Sequence, residues 1–403
     1  MENYNRDMAI DFIKGVAILS IVLCHLSLVV ENAYFYLQYV LSFGQLGCQV
    51  FFFFSGYLIM KKNVKFEGIE GIDGFITYVS KKLGGVIIPW YMAIIIYQII
   101  SWLCCEIWID FRYEVNSNPL EIITNFLFLN GLFPFANNNV VFGGWYLGTL
   151  VIIWIFEPFL LYVYKRFGVK PLIVMMIFAP IVMIFVGLLL LHNDVARNGF
   201  LYFSFINQMP CVLYGMVYYH FEDAVITNGT LNVKCRTAID IIILGIVIVA
   251  FSLRLPYSAC IYPLMVSYIT GECLQMVRYL GTFNMVKKHN LVVRYLLYCG
   301  RDSLYIYLIH ILIVWYLQEI LWRFVFGKYM NSNIFEIFYI VFSLIFVPIV
   351  GKIYKKSEIE IKAIFDKHFS DKCLLFLCDS SYSKNDKRKS ADKNTAGGGE
   401  DRI

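Results

Sequence analysis

Three ionisable residues interrupt the first apolar run of the chain, MAIDFIKGVAILSIVLCHLSLVV, which extends from Met8 to about Val30: Asp11, Lys14 and His25. At 100° per residue, Lys14 and His25 lie within about 20° of each other around a helix, and Asp11 lies within about 40° of His25. One face of this helix is therefore polar almost end to end. A deep ionisable group is costly in hydrocarbon, and it faces a bundle interior or a wet cavity. An imidazole titrates near neutrality, which suits His25 to taking or passing a proton. The bland alternative is an Asp11–Lys14 pair snorkelling at the membrane edge, with His25 hydrogen-bonded inside the bundle. Two more groups stand in apolar surroundings. His310 ends SLYIYLIH, with Ser303 on nearly the same helical face, and Glu157 precedes Pro158 in mid-run. His310 reads equally as a catalytic group or a satisfied bundle histidine. Glu157 reads as orienting His25, as pairing with a lysine, or as a neutral, hydrogen-bonded acid.

The elements that must position these groups are long and apolar. Of 403 residues, 59% are hydrophobic and 16% charged, with a mean hydropathy of +0.66. That excludes an ordinary soluble enzyme. Long unbroken runs rather than short alternating ones exclude a transmembrane barrel. The expectation is an all-α polytopic membrane protein. A net charge of +5 is too modest to suggest nucleic acid. The eleven cysteines, among them Cys24, Cys48, Cys211 and Cys273, show neither disulfide nor metal-ligand spacing. The first run is too long for a cleaved signal peptide, and it is expected to be retained.

Runs at about 8–30, 37–60, 85–109, 144–164, 171–191, 199–219, 237–253, 257–277, 302–324 and 334–354 predict ten spans. A half-length piece, 122–135, is too short to cross and reads as re-entrant or interfacial. The positive-inside rule supports this count with both termini cytoplasmic. Inside loops then hold Lys61, Lys62, Lys65, Lys81, Lys82, Lys165, Arg166, Lys170, Lys234, Arg236, Arg278, Lys287, Lys288, Arg294, Lys352, Lys355 and Lys356. Outside loops hold Arg112, Arg197, Arg254, Arg323 and Lys328. The domain plan is a membrane unit over 1–356, a membrane-surface helix over 357–378 and a disordered polar tail over 379–403, with no internal repeat. The Asn228–Thr230 sequon falls in an inside loop and carries no weight.

Four stretches, IDFIKGVAILSIVLCH, GQLGCQVFFFFSGYLI, GGWYLGTLVIIWIFEPFL and GRDSLYIYLIH, together resemble the acyltransferase 3 family of membrane proteins over about residues 8–355. The first helix there carries Asp, then Arg-Gly, then a histidine eleven residues after the arginine. Asp11, Lys14-Gly15 and His25 keep that spacing. The Phe-Phe-x-x-Ser-Gly signature matches Phe53 or its neighbours with Ser55 and Gly56. Two positions depart from the pattern. Lys14 replaces an arginine, which keeps the charge but loses the bidentate fork. In Lys81-Lys82-Leu-Gly-Gly before Pro89, Lys82 stands for the first of two arginines and Gly85 replaces the second.

The resemblance implies transfer of an acyl group, often acetyl, from acetyl-CoA or another acyl-CoA co-substrate to a hydroxyl of a cell-envelope glycan or its lipid-linked precursor. No tightly bound cofactor or metal is implied. The family regards the first-helix histidine as catalytic. His25 would then deprotonate the attacking hydroxyl or relay the acyl group, with Asp11, Glu157 and His310 as further catalytic candidates. Lys14, Lys82 and Lys81 would anchor the donor phosphates from the cytoplasmic side, although positive-inside bias alone also explains the last two. His25 lies about 25 Å along its helix, toward the outer half of a bilayer. Expected partners are the donor, a glycan acceptor and membrane lipid, in the cytoplasmic membrane. Trp145 and Tyr146 fit an interfacial belt. Ser55-Gly56 reads as helix packing rather than nucleophile, and Arg301-Asp302 as a charge pair or N-cap. A transporter or flippase for envelope glycans, and a glycan polymerase, are the rival readings.

Overall fold

The first helix starts where the sequence supplies a cap: the Asp7 side chain accepts from the Ala9 N–H at 3.2 Å, and α1 runs Met8–Leu26. In the computed structural model, residues 7–28, 35–63, 71–107, 118–133, 140–190, 201–227, 233–252, 257–280, 290–321 and 333–369 are described. Every regular element among them is helical. The elements are α2 Phe35–Ser42, α3 Gly47–Asn63, α4 Gly71–Leu83, α5 Ile87–Ile107, α6 Pro119–Phe126 and α7 Trp145–Phe167. After these come α8 Lys170–Leu190, α9 Phe205–Thr227, α10 Val233–Ser252, α11 Ser258–Tyr279, α12 Leu291–Arg301, α13 Ser303–Ile311, α14 Gln318–Leu321 and α15 Asn333–Phe369. The sequon, the 379–403 tail and the loop cations Lys65, Arg112, Arg197, Arg254, Lys287, Lys288, Arg323 and Lys328 lie outside the described residues.

Seven described helical stretches are long and apolar enough to cross a bilayer: Met8–Leu26, Leu37–Lys62, Ile87–Ile107, Trp145–Phe167, Lys170–Leu189, Ser303–Leu321 and Ile334–Phe365. The other three expected spans fall on α9, α10 and α11, which are 23, 20 and 22 residues long. Two of these owe their lower apolarity to interior packing. In α9, Asn207 and Gln208 are fully buried, and each donates to a backbone carbonyl, Ala259 O at 2.9 Å and Tyr202 O at 2.6 Å. In α11, Ser267 and Thr270 are buried and bond back to carbonyls of their own helix. By contrast α8, the most apolar helix, turns Val174, Ile177, Phe178, Ile181 and Phe185 outward, as lipid contact demands.

Three segments expected as loops or separate pieces are folded otherwise. The basic stretch after α3 includes α4, which buries none of its residues fully. The stretch before Arg301 is α12, an amphipathic helix that packs along α1. Residues 357–369 continue α15 without a break. The half-length piece forms the eight-residue α6 and a 3₁₀ turn at Leu129–Leu132. It is tied to α5 by Trp90 Nε1 donating to Asn125 O at 2.8 Å and by the Tyr91 hydroxyl donating to Phe126 O at 2.9 Å.

Helices in hydrocarbon gain little from apolar burial alone, so close backbone approach at small residues holds them together. In α1 and α12, Gly15 lies against the Leu296 backbone and Gly300 against the Asp11 carbonyl. In α3 and α9, Gly56 lies against the Val212 backbone and Gly215 against the Phe53 carbonyl. A Cβ at any of the four would run into backbone, which cannot swing aside. At Gly245 of α10 nothing lies within 4 Å of the position a Cβ would take. Gly56→Val is therefore expected to destabilise the protein by about 1–3 kcal/mol or more, read as a lower unfolding temperature in detergent, whereas Gly245→Val leaves that temperature unchanged.

Candidate active site

The last turn of α1 brings His25 against α13. The His25 and His310 rings lie 4.9 Å apart, tilted at 57°. Trp315 closes the other side of His25, edge-on at 5.6 Å, and its Nε1–H donates to the His25 carbonyl at 3.3 Å. His310 is completely buried. Its Nδ1 lies 2.5 Å from the Tyr307 carbonyl. A carbonyl has no proton to give, so Nδ1–H is the donor and the Nε2 of the neutral ring keeps its lone pair. That Nε2 is buried and has no hydrogen-bond partner, and the same holds for His25 Nδ1. Two adjacent imidazoles, each with a bare buried nitrogen, can each accept a proton or a hydrogen bond.

The walls of the site are aromatic and stiff. Phe52, Tyr146, Tyr307 and His310 follow one another with ring centroids 4.8, 5.1 and 5.3 Å apart. The Tyr307 hydroxyl donates to the Gly143 carbonyl, which pins the loop before α7 onto α13. Beyond His310 the helix widens into a π turn over Leu312–Leu317 that carries Trp315. Such turns are rare and frequent at functional sites. Here the Ile313 and Val314 carbonyls both accept from the buried Tyr339 hydroxyl of α15, each at 3.0 Å.

Glu157 belongs to a different cluster. It is fully buried and receives three bonds: Ser55 Oγ at 2.9 Å, the Tyr78 hydroxyl at 2.6 Å, and Lys82 Nζ as an ion pair. The Lys82 ammonium also lies 5.0 and 5.2 Å from the Tyr78 and Trp154 ring centres. The pairing with a lysine, among the readings open to Glu157, is the one the geometry presents; its carboxylate bonds α3 and α4 to α7. Ser55 serves this bond while Gly56 serves the helix contact. Lys81 is exposed, and Lys14 stands over the Phe54 ring at 5.7 Å. Asp11 is buried in the first turn of α1. Of the sequence candidates, then, His25 and His310 meet, and Glu157 and Lys82 meet. Asp302 offers no side-chain cap to α13 and instead pairs with Lys355 at 2.6 Å.

A third cluster escaped the sequence reading. Asp7 accepts from Lys61 at 3.0 Å and from Arg278 at 2.6 Å, and Arg278 also pairs with Glu222. The Tyr57 hydroxyl joins it, donating to Glu222 at 2.7 Å. Spacings of 54 and 271 residues leave no local signal for these contacts.

A family model described as an acyltransferase domain, the acyltransferase 3 model, matches residues 8–352. Comparison with curated proteins and with solved structures returned no match.

Removing one partner of the Lys82–Glu157 pair strands a buried charge. Lys82→Met alone is expected to lower stability by about 3–5 kcal/mol, and the double variant Lys82→Met/Glu157→Gln to recover most of it, both read by thermal unfolding. At Asp7, burial pushes the carboxyl pKa up, but the Lys61 hydrogen bond and the Arg278 charge and hydrogen bond outweigh it, so the group sits below its ordinary value. Such a carboxyl adds stability that is fully present above its unfolded pKa and lost as pH falls through the folded one. Unfolding temperature is thus expected to drop on acidification below about pH 4, more steeply in wild type than in Asp7→Asn.

Proposed function

The chain belongs to the acyltransferase 3 family, and on that premise we propose that it is a membrane O-acyltransferase that moves an acyl group, acetyl first among the candidates, from acyl-CoA to a hydroxyl of a cell-envelope or exported glycan or its lipid-linked precursor. The observation that carries this reading is the His25–His310 pair, two facing imidazoles with unpartnered, buried nitrogens inside the family region. His25 takes the proton of the acceptor hydroxyl as its oxygen attacks the thioester carbon. His310, its tautomer held by the Tyr307 carbonyl, is the second base beside it.

The proposed frame is ten spans with both termini in the cytoplasm of a cell whose cytoplasmic membrane holds the protein. Donor phosphates then meet the α1 N-terminal side, where Lys14 and the exposed Lys81 are at hand. Lys82 can join them only by releasing Glu157. The reacting carbonyl reaches His25 about 25 Å further along α1. As an acyltransferase the chain has no need of the transporter reading, and the groups gathered at His25 suit proton transfer better than transport.

The test uses membranes holding wild type or His25→Ala at equal protein level, supplied with radiolabelled acetyl-CoA and host glycans. Label is expected in glycan with wild type and at least about 100-fold less with His25→Ala. Equal labelling by both would remove His25 from the chemistry. Transfer from succinyl-CoA instead of acetyl-CoA would change the acyl group and keep the mechanism. Transfer from neither would overturn the reading.

A further inference from the structure

The loop before α7 lies against His310. In Gly143-Gly144-Trp145-Tyr146 the cap position is Gly144, which has helical backbone angles and makes no side-chain cap hydrogen bond. The Leu147 and Gly148 N–H groups both turn back to the Gly144 carbonyl. Among the described residues, no acceptor bonds the Tyr146 N–H. Yet this helix end is not in water: Val141, Trp145 and Tyr146 are all at most 8% exposed. A long helix that begins in the interior without a capping side chain leaves, among the described residues, a donor and a positive dipole end without an acceptor.

A second, independent feature points into the same place. His310 is fully buried and its Nε2 is unpartnered. The Cε1 atom next to that nitrogen lies 3.7 Å from where a Cβ on Gly143 would stand. Gly143 has φ of +77°, a conformation that favours glycine, and the Tyr307 hydroxyl holds its carbonyl turned away into α13. The bare loop therefore lets the uncapped helix N-terminus come up against the ring of a buried base.

We propose that the N-terminus of α7, through the Tyr146 N–H beside Gly143, is the oxyanion-binding element of the acyl-transfer site. The inference rests on the acyl-transfer reading and adds to it the group that stabilises the negative charge. When the acceptor oxygen bonds to the thioester carbon, the carbonyl π electrons move onto its oxygen, and the hydroxyl proton goes to an imidazole. The oxyanion faces the α7 amide. On collapse the C–S bond breaks, and the CoA sulfur leaves with that proton as a thiol. A backbone amide fixed in a dry site needs no reorganisation at that moment, which makes such donors effective.

The amide can be removed alone. Tyr146 is replaced through nonsense suppression by its α-hydroxy-acid analogue, which turns the N–H into an ester oxygen and keeps the side chain. Suppression with tyrosine itself provides the reference. Because the N–H has no acceptor among the described residues, the unfolding temperature is expected to fall only by the little that the weaker ester carbonyl of Trp145 costs the helix. The kcat for acyl transfer is expected to fall about 10²–10³-fold with the donor KM unchanged. A kcat within twofold of the reference, while His25→Ala still abolishes transfer, would overturn the oxyanion assignment and leave the acyl-transfer reading intact. Transfer that survives both changes would overturn the two together. Gly143→Ala gives a second check: a methyl there, 3.0 Å from Ile311 Cδ1, should lower kcat more than it raises KM, and a pure KM effect would count against the proposal.

Discussion

A polar face on a helix within an apolar bundle survives only where neighbouring backbone comes close enough to cover it, and α1 imposes that condition on everything around it. Two glycines meet the demand at its N-terminal half. Gly15 and Gly300 let α12 lie directly on α1, with Leu296 at the level of Gly15 and Gly300 at the level of Asp11. The rising number on one helix meets the falling number on the other, so α12 runs antiparallel to α1. The helix breaks at Asp302, held to α15 by Lys355, and α13 beyond it sets His310 against His25. The His25–His310 pairing thus depends on a close helix crossing that contains neither histidine.

Rigidity at the histidines comes from backbone acceptors rather than from carboxylates. No acidic side chain orients either ring among the described residues; the Tyr307 carbonyl fixes His310, and Trp315 fixes the end of α1. Both supports lie on one element, α13 and its π turn. The widened turn frees carbonyls that would be costly in hydrocarbon, and the Tyr339 hydroxyl takes up two of them. The two imidazoles are in this way held without an added charge, which suits a dry interior where each further ion would need its own partner.

Hydropathy made the long helices legible, because a span declares itself by an unbroken apolar run whatever it packs against. His25 and His310 were legible for the same reason: each is conspicuous in a run where nothing else ionises. Glu157 was legible as a group needing a partner, but three partners were possible in principle, and the choice of Lys82 lies in the way α4 folds against α7. The Asp7, Lys61, Arg278 and Glu222 cluster was not legible, since each residue alone looks like a solvated charge at a helix end. Nor was α12, whose charged face reads as an inside loop until its apolar face is seen on α1. The uncapped start of α7 is legible only afterwards, because two glycines before an aromatic pair look like a simple turn.

The three polar clusters differ in how completely they are paired, and that difference separates bracing from chemistry. Glu157 has three donors from three residues, one of them a cation, and Asp7 has two cations. Groups so fully occupied cannot meet a substrate without first losing what they hold, which fits them to fastening helices. At the far end of α1 the balance is reversed. Among the described residues, two imidazole nitrogens and one helix-start amide stand without partners beside Phe52, Tyr146 and Tyr307. Facing ionisable rings with bare nitrogens differ from the carboxamide oxygens left bare elsewhere in the bundle, because only the rings can take up and release a proton near neutrality.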